Sequence, residues 1–164
     1  MWIEPISKIK TLADLKAIVA EKRSSGQKVV FANGCFDLLH TGHVRYLEAA
    51  KELGNLLIVG LNSDACVRAL KGEGRPLQNE QDRAEIIASI QCVDYVLLFD
   101  EPTVDGILKE LRPDVHAKGT DYTEESVPER NTVLGYGGKV AIVGDPKYHS
   151  SRDLIQKILS KFTP

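Results

Sequence analysis

Short apolar runs alternate with helical runs from one end of this chain to the other, and this alternation restricts the possible folds more than any other feature. The apolar runs predict strands over 28–32, 56–61, 95–99, a short stretch around 115, and 140–143. The helical runs cover 11–23, 43–54, 63–70, 81–91, 103–111 and 150–162. Strands that alternate with helices of this length pair in parallel and are covered by helices on both faces. We therefore predict an α/β fold with one doubly wound parallel sheet.

Two threonines are predicted to begin helices. Thr11 precedes an apolar pattern and is followed three residues later by Asp14, which is the spacing of a capping box. Thr103 precedes another apolar pattern and is predicted to be the N-cap of the fifth helix.

Length, charge and hydropathy narrow the class of protein. The 164 residues are predicted to form one domain over 1–164, with an N-terminal helix at about 11–23 and an α/β core at about 28–162. The formal net charge is -2 and the pI is near 6.1, so no overall basic field predicts a nucleic-acid partner. The apolar run at 56–61 is far too short to cross a bilayer, so no membrane partner is predicted.

The cysteines predict a reducing compartment and no metal site. Cys35, Cys66 and Cys92 are odd in number and show no CxxC spacing or Cys/His metal spacing. Scattered thiols of this kind are typical of proteins kept reduced, so we predict a cytoplasmic location and assign no metal ligand.

The stretch VVFANGCFDLLHTGH, residues 29–43, combines a strand with residues suited to binding an anion. The carboxyl end of a central parallel strand is where ligands bind in open α/β sheets. A helix N-terminus follows, and its free N–H groups favour a phosphate. His40 and His43 beside it could donate to phosphate oxygens. A histidine at a helix start is also a common cap or surface group, and the spacing alone leaves both interpretations open.

The segment NGCFDLLHTGH resembles the signature of the nucleotidyltransferase superfamily that carries an HxGH motif. The segments YLEAAKELG, LIVGLNSDACVRALKGEGRP, DRAEIIASIQCVDYV, LRPDVHAKGTDY and GGKVAIV are similar to bacterial D-glycero-β-D-manno-heptose 1-phosphate adenylyltransferases. The resemblance covers about residues 5–160. It implies a Rossmann-like nucleotidyltransferase fold.

The resemblance also implies an activity. Members of that branch transfer AMP from ATP to the heptose 1-phosphate and release pyrophosphate, giving ADP-heptose for the lipopolysaccharide core. ATP would carry Mg²⁺, for which the substrate phosphates and water supply most ligands. A cytidylyltransferase using CTP and glycerol 3-phosphate is the first alternative. A nucleotide-binding regulatory module without turnover is an alternative from another class. The resemblance further implies a homodimer.

Roles carry over to matching positions of this sequence. The predicted catalytic residues are His40, His43 and Lys118. The predicted nucleotide contacts are Asn33, Gly34, Cys35, Phe36, Gly42, Lys71, Arg75, Ser150 and Ser151. The predicted contacts to the second substrate, the sugar 1-phosphate, are Asp37, Arg83, Asp121 and Tyr122. Gly42 is expected to let the chain turn into a helix that begins near His43.

Two of these regions carry further expectations. The loop 70–76 contains two glycines and few apolar side chains, so we expect it to be poorly held without nucleotide. The serine pair departs from the superfamily's common S-T-T form, because Arg152 follows it and Asp145 stands where some members have an arginine. Lys147, His149 or Arg152 could substitute for the missing groups. The serines could also be simple helix caps.

Overall fold

A five-stranded parallel sheet forms the centre of the protein, seen in a computed structural model that describes residues 3–163. The strands are β1 (Val29–Gly34), β2 (Leu56–Asn62), β3 (Tyr95–Phe99), β4 (Val115–Lys118) and β5 (Lys139–Ile142). The α-helices are α1 (Leu12–Ser24), α2 (Thr41–Lys51), α3 (Asp64–Lys71), α4 (Glu80–Ala88), α5 (Asp105–Leu111), α6 (Arg130–Gly135) and α7 (Ser151–Phe162), and a short 3-10 helix spans Pro5–Lys8.

The strand order β3-β2-β1-β4-β5 makes β1 the central strand. β1 pairs with β2 on one side and with β4 on the other, always in parallel. The direction of winding reverses between β1 and β4, which is the switch point where ligands bind in such sheets. The predicted doubly wound, Rossmann-like architecture is confirmed.

Alternate residues of the strands point to opposite faces, and each face is covered by helices. On one face, Val30 and Val59 pack with Leu47 of α2 and Ile87 of α4 in one apolar cluster. On the other face lies a second cluster built on α1, α5 and α6, which includes Leu15, Phe31, Ile58, Leu108 and Val133. All seven residues of β2 are buried, as expected of a strand covered on both faces.

The structure corrects several predicted boundaries. β1 continues through Gly34, two residues beyond the predicted end at residue 32. Helix α5 begins at Asp105 with Val104 as its N-cap, so the prediction that Thr103 caps it is wrong. The predicted capping box of Thr11 and Asp14 is present. Helix α6 (Arg130–Gly135) was not predicted, because its six residues show too short a pattern.

Helix α7 lies at the edge of the fold rather than in its core. Its apolar residues Ile158, Leu159 and Phe162 are more than half exposed, and none of its residues is fully buried. Within residues 3–163, no helix combines the length and apolar character that crossing a membrane requires.

Candidate active site

The candidate site lies at the carboxyl ends of β1 and β4, beside the N-termini of α2 and α7. Ser151 Oγ at the start of α7 donates to the carbonyl of Leu38 at 3.0 Å, which fixes that helix against the loop after β1. Tyr46 of α2 donates to the carbonyl of Ala117 in β4 at 2.8 Å. These two bonds tie α7 to the loop after β1 and the histidine-bearing helix α2 to the end of β4.

The two histidines form a stacked pair at the N-terminus of α2. Their ring centroids are 3.8 Å apart and the rings are inclined by 20°. His40 is the N-cap residue, and its backbone N–H donates to Nδ1 of His43 at 3.4 Å. Because Nδ1 of His43 accepts, the proton of the neutral His43 ring is on Nε2, where it is available to a ligand.

Both imidazoles are neutral at neutral pH in the free protein. Burial lowers the pKa of His43 from 6.5 to about 4, and the charge of His40 adds to the effect. Burial also lowers the pKa of His40, assisted by the charges of His149 and Lys147. Nδ1 of His40 is buried and has no hydrogen-bond partner among the described residues.

Gly42 lies inside the first turn of α2, so the prediction that it forms the turn before the helix is wrong. A Cβ at this position would lie 3.0 Å from Cε1 and Nδ1 of His40 and 3.5 Å from Cβ of His149. The absence of a side chain therefore allows the His40 ring to fold against the helix.

Phe36, whose φ is +47°, packs its ring edge-on to His43 with centroids 5.2 Å apart.

Lys118 ends β4 and is almost entirely buried, with 7% of its surface exposed. Its Nζ donates to Oδ1 of Asn33 at 3.4 Å and lies 4.6 Å from the centre of the Tyr122 ring. Burial lowers the pKa of Lys118, and the nearby carboxylate of Glu129 opposes that effect. The predicted residues Asn33, Lys118 and Tyr122 are thus brought together.

Asp37 anchors the loop that follows α3. It is 2% exposed and accepts hydrogen bonds from Nε of Arg75 at 2.6 Å and from the backbone N–H groups of Leu77 and Gln78. Burial opposes its ionisation, but the N–H groups of Gln78 and Leu77 and the Arg75 guanidinium outweigh it and hold the pKa of Asp37 below its usual value. Within the loop 70–76 these bonds hold Arg75 and leave residues 71–74 exposed, so the expectation of a poorly held loop stays a prediction; the Asp37 carboxylate has little capacity left for a sugar.

Arg83 is a buried connector rather than a residue of the crevice surface. Its side chain is fully buried and donates to the carbonyls of Cys35, Asn62 and Gln78 at 2.7–3.0 Å, and to Asp64 at 2.7 Å. Every nitrogen of the guanidinium is engaged. The predicted contact between Arg83 and the second substrate is at odds with this position, and we withdraw it.

Three other predicted contacts lie at the rim. Lys71 is the last residue of α3 and is exposed, and its charge helps to lower the pKa of His43. Asp121 is exposed and pairs with Lys147 at 2.9 Å, which links the loop after β4 to the loop after β5. Ser150 caps α7 by accepting from the N–H of Asp153.

His149 joins the site from the loop before α7. Its ring centroid is 6.2 Å from that of His40, and it is exposed. His149, one of the three residues considered as substitutes at this end, therefore lies beside the HxGH pair. Lys147 is engaged with Asp121.

We expect Asp37→Asn to release the loop 72–76. The neutral amide loses the charged acceptor that holds Arg75 and two N–H groups, so trypsin should cut at Lys71, and V8 protease at Glu73, about tenfold faster or more. Glu52→Gln, which removes an exposed carboxylate at the end of α2, is the control and should not change the rate. Equal nicking of the Asp37→Asn variant and the wild type would contradict the anchoring.

The lowered pKa of Asp37 fixes the pH range of the anchor. The stability that the ionised Asp37 carboxylate provides is fully present above the ordinary aspartate pKa, near 3.9. It is lost only as the pH falls through the lower pKa of Asp37 in the folded state. The loop should therefore resist nicking equally at neutral and mildly acidic pH.

Within residues 3–163, no three His, Cys, Asp or Glu side chains lie close enough together to hold a metal ion. We assign no metal ligand in this chain.

Comparison with known proteins decides the family. The sequence profile of the family described as cytidylyltransferase-like matches residues 31–155, a range that includes both histidines, Lys118 and the serine pair. The chain belongs to the cytidylyltransferase-like family. The resemblance seen in the sequence is thereby confirmed.

Relatives within this family are bacterial proteins of greater length. The bifunctional protein HldE of Geobacter sulfurreducens is 48% identical over 156 residues, which are 95% of this chain and 32% of that protein. The bifunctional protein HldE of Citrifermentans bemidjiense is 51% identical over 156 residues, again 95% of this chain and 32% of that protein. The chain thus spans about a third of the length of these curated relatives.

A similar solved structure supports the architecture. The crystal structure of the lipopolysaccharide core biosynthesis protein from Thermoplasma volcanium has a TM-score of 0.65 and 29% sequence identity, covering 74% of this chain and all of that one. It shares the parallel sheet with helices on both faces.

Two buried residues close to Lys118 were not predicted from the sequence. His116 and Glu129 are buried beside Lys118. His116 alternates with Lys118 along a buried strand, which is the one signal in the sequence that could have placed it near the lysine. Glu129 is eleven residues beyond the lysine in an irregular segment, and no pattern indicates its position.

Proposed function

We propose that this chain is a nucleotidyltransferase that transfers AMP from ATP to D-glycero-β-D-manno-heptose 1-phosphate and releases pyrophosphate. The observation that carries the proposal is the stacked pair His40–His43 at the N-terminus of α2, beyond the carboxyl end of the central strand. The relatives named HldE and the lipopolysaccharide core biosynthesis protein support the choice of a heptose phosphate as acceptor, together with the motifs LKGEGRP and KGTDY.

The reaction needs charge stabilisation rather than a protein nucleophile. An oxygen of the sugar phosphate attacks the α-phosphorus of ATP, the new P–O bond forms, and the bond to the β-phosphate oxygen breaks as pyrophosphate leaves. Nε2–H of His43 and the free N–H groups of α2 donate to the phosphate oxygens as negative charge accumulates there. The N-terminus of α7 and His149 face the same region from the other side.

Lys118 contributes a positive charge at the carboxyl end of β4. Its position at the end of β4 beside Asn33 suits a contact to the α-phosphate or to the sugar phosphate. Tyr122 and Asp121 are at the adjacent loop and are proposed to contact the acceptor. Lys71 is placed to meet the β- and γ-phosphates at the rim.

The remaining predicted nucleotide contacts are the backbone N–H groups at the end of β1 and the side chain of Arg75. Gly34 and Phe36 line the floor at the end of β1, and the N–H groups of this stretch are proposed to approach the nucleotide. The Cys35 carbonyl is already bonded to Arg83. Arg75 keeps its terminal nitrogens for a phosphate while Nε is held by Asp37. Mg²⁺ is proposed to enter with ATP as part of the substrate.

A pyrophosphate-release assay tests the proposal. We expect rapid release with ATP, Mg²⁺ and the heptose 1-phosphate, and release at least tenfold slower when CTP replaces ATP or glycerol 3-phosphate replaces the sugar. Release with CTP and glycerol 3-phosphate alone would support the cytidylyltransferase alternative. Binding of ATP without release in any combination would support the regulatory module.

Three further features belong to this proposal. We propose that residues 1–164 act as one nucleotidyltransferase domain, and that the protein works in the cytoplasm, in keeping with the unpaired thiols of Cys35, Cys66 and Cys92. We also propose a homodimer, which follows from the resemblance to the adenylyltransferases. Light scattering that gives the mass of one chain at micromolar concentration would contradict the dimer.

A further inference from the structure

A buried cluster of three titratable side chains lies beneath the candidate site. His116 is fully buried, Glu129 is 6% exposed and Lys118 is 7% exposed. Charged groups are rarely buried unless they are paired, so this cluster requires an explanation. The mechanism described above uses only Lys118.

The fold brings the three side chains together from two elements. His116 and Lys118 alternate along β4 and therefore point to the same face of the sheet. That face is covered by α6, and Glu129 is the N-cap residue of α6. Oε2 of Glu129 lies 3.6 Å from Nε2 of His116 and 4.0 Å from Nζ of Lys118. One carboxylate oxygen thus faces both basic groups.

The contact at Nδ1 of His116 determines whether Nε2, which faces Glu129, carries a proton in the neutral ring. Nδ1 of His116 lies 3.3 Å from the carbonyl oxygen of Phe31, which can only accept, so the proton is on Nδ1. Nε2 therefore faces the carboxylate and stabilises it only when it also carries a proton. Burial opposes ionisation of Glu129, but His116 and Lys118 outweigh it and hold the pKa of Glu129 below its usual value.

We propose that Glu129 is a positioning residue whose carboxylate keeps the Lys118 ammonium charged and fixed at the carboxyl end of β4. The proposal rests on the proposed function, in which Lys118 contacts a substrate phosphate. His116 lies beside the same carboxylate oxygen, with its Nε2 3.6 Å from Oε2 of Glu129.

The other groups around Lys118 cannot replace this carboxylate. Asn33 on β1 offers an amide oxygen, and Tyr122 in the following loop offers the face of its ring. Tyr46 on α2 is half-buried, and burial raises the pKa of its hydroxyl, so it stays neutral. A full negative charge reaches Nζ from Glu129, which opposes the lowering of the Lys118 pKa by burial.

The direct test is a titration of Lys118 in the free protein. In isotope-labelled protein, the Lys118 resonance is assigned by its loss in Lys118→Arg, and its midpoint is followed by NMR. We expect Glu129→Gln to lower the proton affinity of Nζ about tenfold or more, because an opposite charge at this distance has that effect. Glu125→Gln removes an exposed carboxylate of the same loop and should leave the midpoint unchanged.

A kinetic test separates positioning from simple structural support. Loss of the carboxylate should move the basic limb of the kcat/KM profile to lower pH. The deficit of Glu129→Gln should therefore be large at pH 9 and shrink several-fold at pH 7, where Lys118 regains its proton. A purely structural defect would give the same deficit at both pH values.

The outcomes separate this proposal from the proposed function. An unchanged Lys118 midpoint in folded Glu129→Gln overturns the positioning role, whatever the enzyme assay shows. A lowered midpoint without pyrophosphate release in the wild type supports the charge pairing but contradicts the proposed reaction. If Glu129→Gln does not fold, Glu129→Asp takes its place: its shorter side chain should move the midpoint in the same direction by less, and an unchanged midpoint there overturns the proposal.

Discussion

Replacing His43 or His40 with alanine is expected to lower kcat by about 100-fold or more, because oriented donors at the site of charge development commonly contribute that much. Both rings are held by the helix N-terminus and by each other, with centroids 3.8 Å apart. Each variant therefore removes a donor and also loosens its neighbour. Stopped-flow or quench-flow measurement of pyrophosphate release in single turnovers reports the chemical step directly.

Glu48→Ala, an exposed residue further along α2, is the matched control and should keep wild-type turnover. Near wild-type kcat in either histidine variant would contradict the assignment of the pair.

A pH series of melting temperatures gives an independent readout of His43. Its pKa is about 4 in the folded protein, below its ordinary 6.5, so the unfolded chain takes up a proton here that the folded chain refuses. Stability from this group is therefore highest above pH 6.5 and falls as the pH drops from about 6.5 to about 4. His43→Ala should lack this part of the acid destabilisation.

Arg83→Met is expected to lower the free energy of unfolding by roughly 3 kcal/mol or more, because it removes a fully buried guanidinium that satisfies three carbonyls as well as a half-buried carboxylate. The variant leaves the Asp64 carboxylate without its guanidinium and leaves the carbonyls of Cys35 and Asn62 without their shared donor. Urea unfolding followed by circular dichroism measures the loss.

Arg68→Met changes an exposed arginine on α3 in the same way and should shift the unfolding free energy by less than about 0.5 kcal/mol. If Arg83→Met instead keeps full stability and loses affinity for the sugar phosphate, the buried position described here is wrong and the original prediction of a substrate contact is restored.

The strands could be predicted from sequence because their buried residues form uninterrupted apolar runs. β2 and β3 were predicted to within one residue, since both faces of these strands are covered and no polar residue breaks the pattern. The end of β1 was placed too early because Asn33 and Gly34 are polar or small. They remain in the strand because they pair with Gly60 and Leu61 of β2.

The positions of site residues could be predicted only where the residues lie close together in the sequence, within one motif. His40 and His43 are three residues apart and follow a buried strand, so their meeting at a helix start could be anticipated. Asp37 meets Arg75 across 38 positions, and Arg83 meets Cys35 across 48. Sequence reasoning could not distinguish a buried connector from a substrate contact there, because an arginine and a carboxylate serve either purpose.

The position of β1 at the centre of the sheet has a consequence for how the protein is made. β1, β2 and β3 can pair as soon as the first hundred or so residues have left the ribosome, since α2 joins β1 to β2, and α3 and α4 join β2 to β3. The contact between Asn33 and Lys118 spans 85 positions and must wait for β4. The site therefore stays incomplete until the second half of the chain has folded. A chain interrupted before residue 115 would contain both histidines but lack Lys118, Tyr122 and α7.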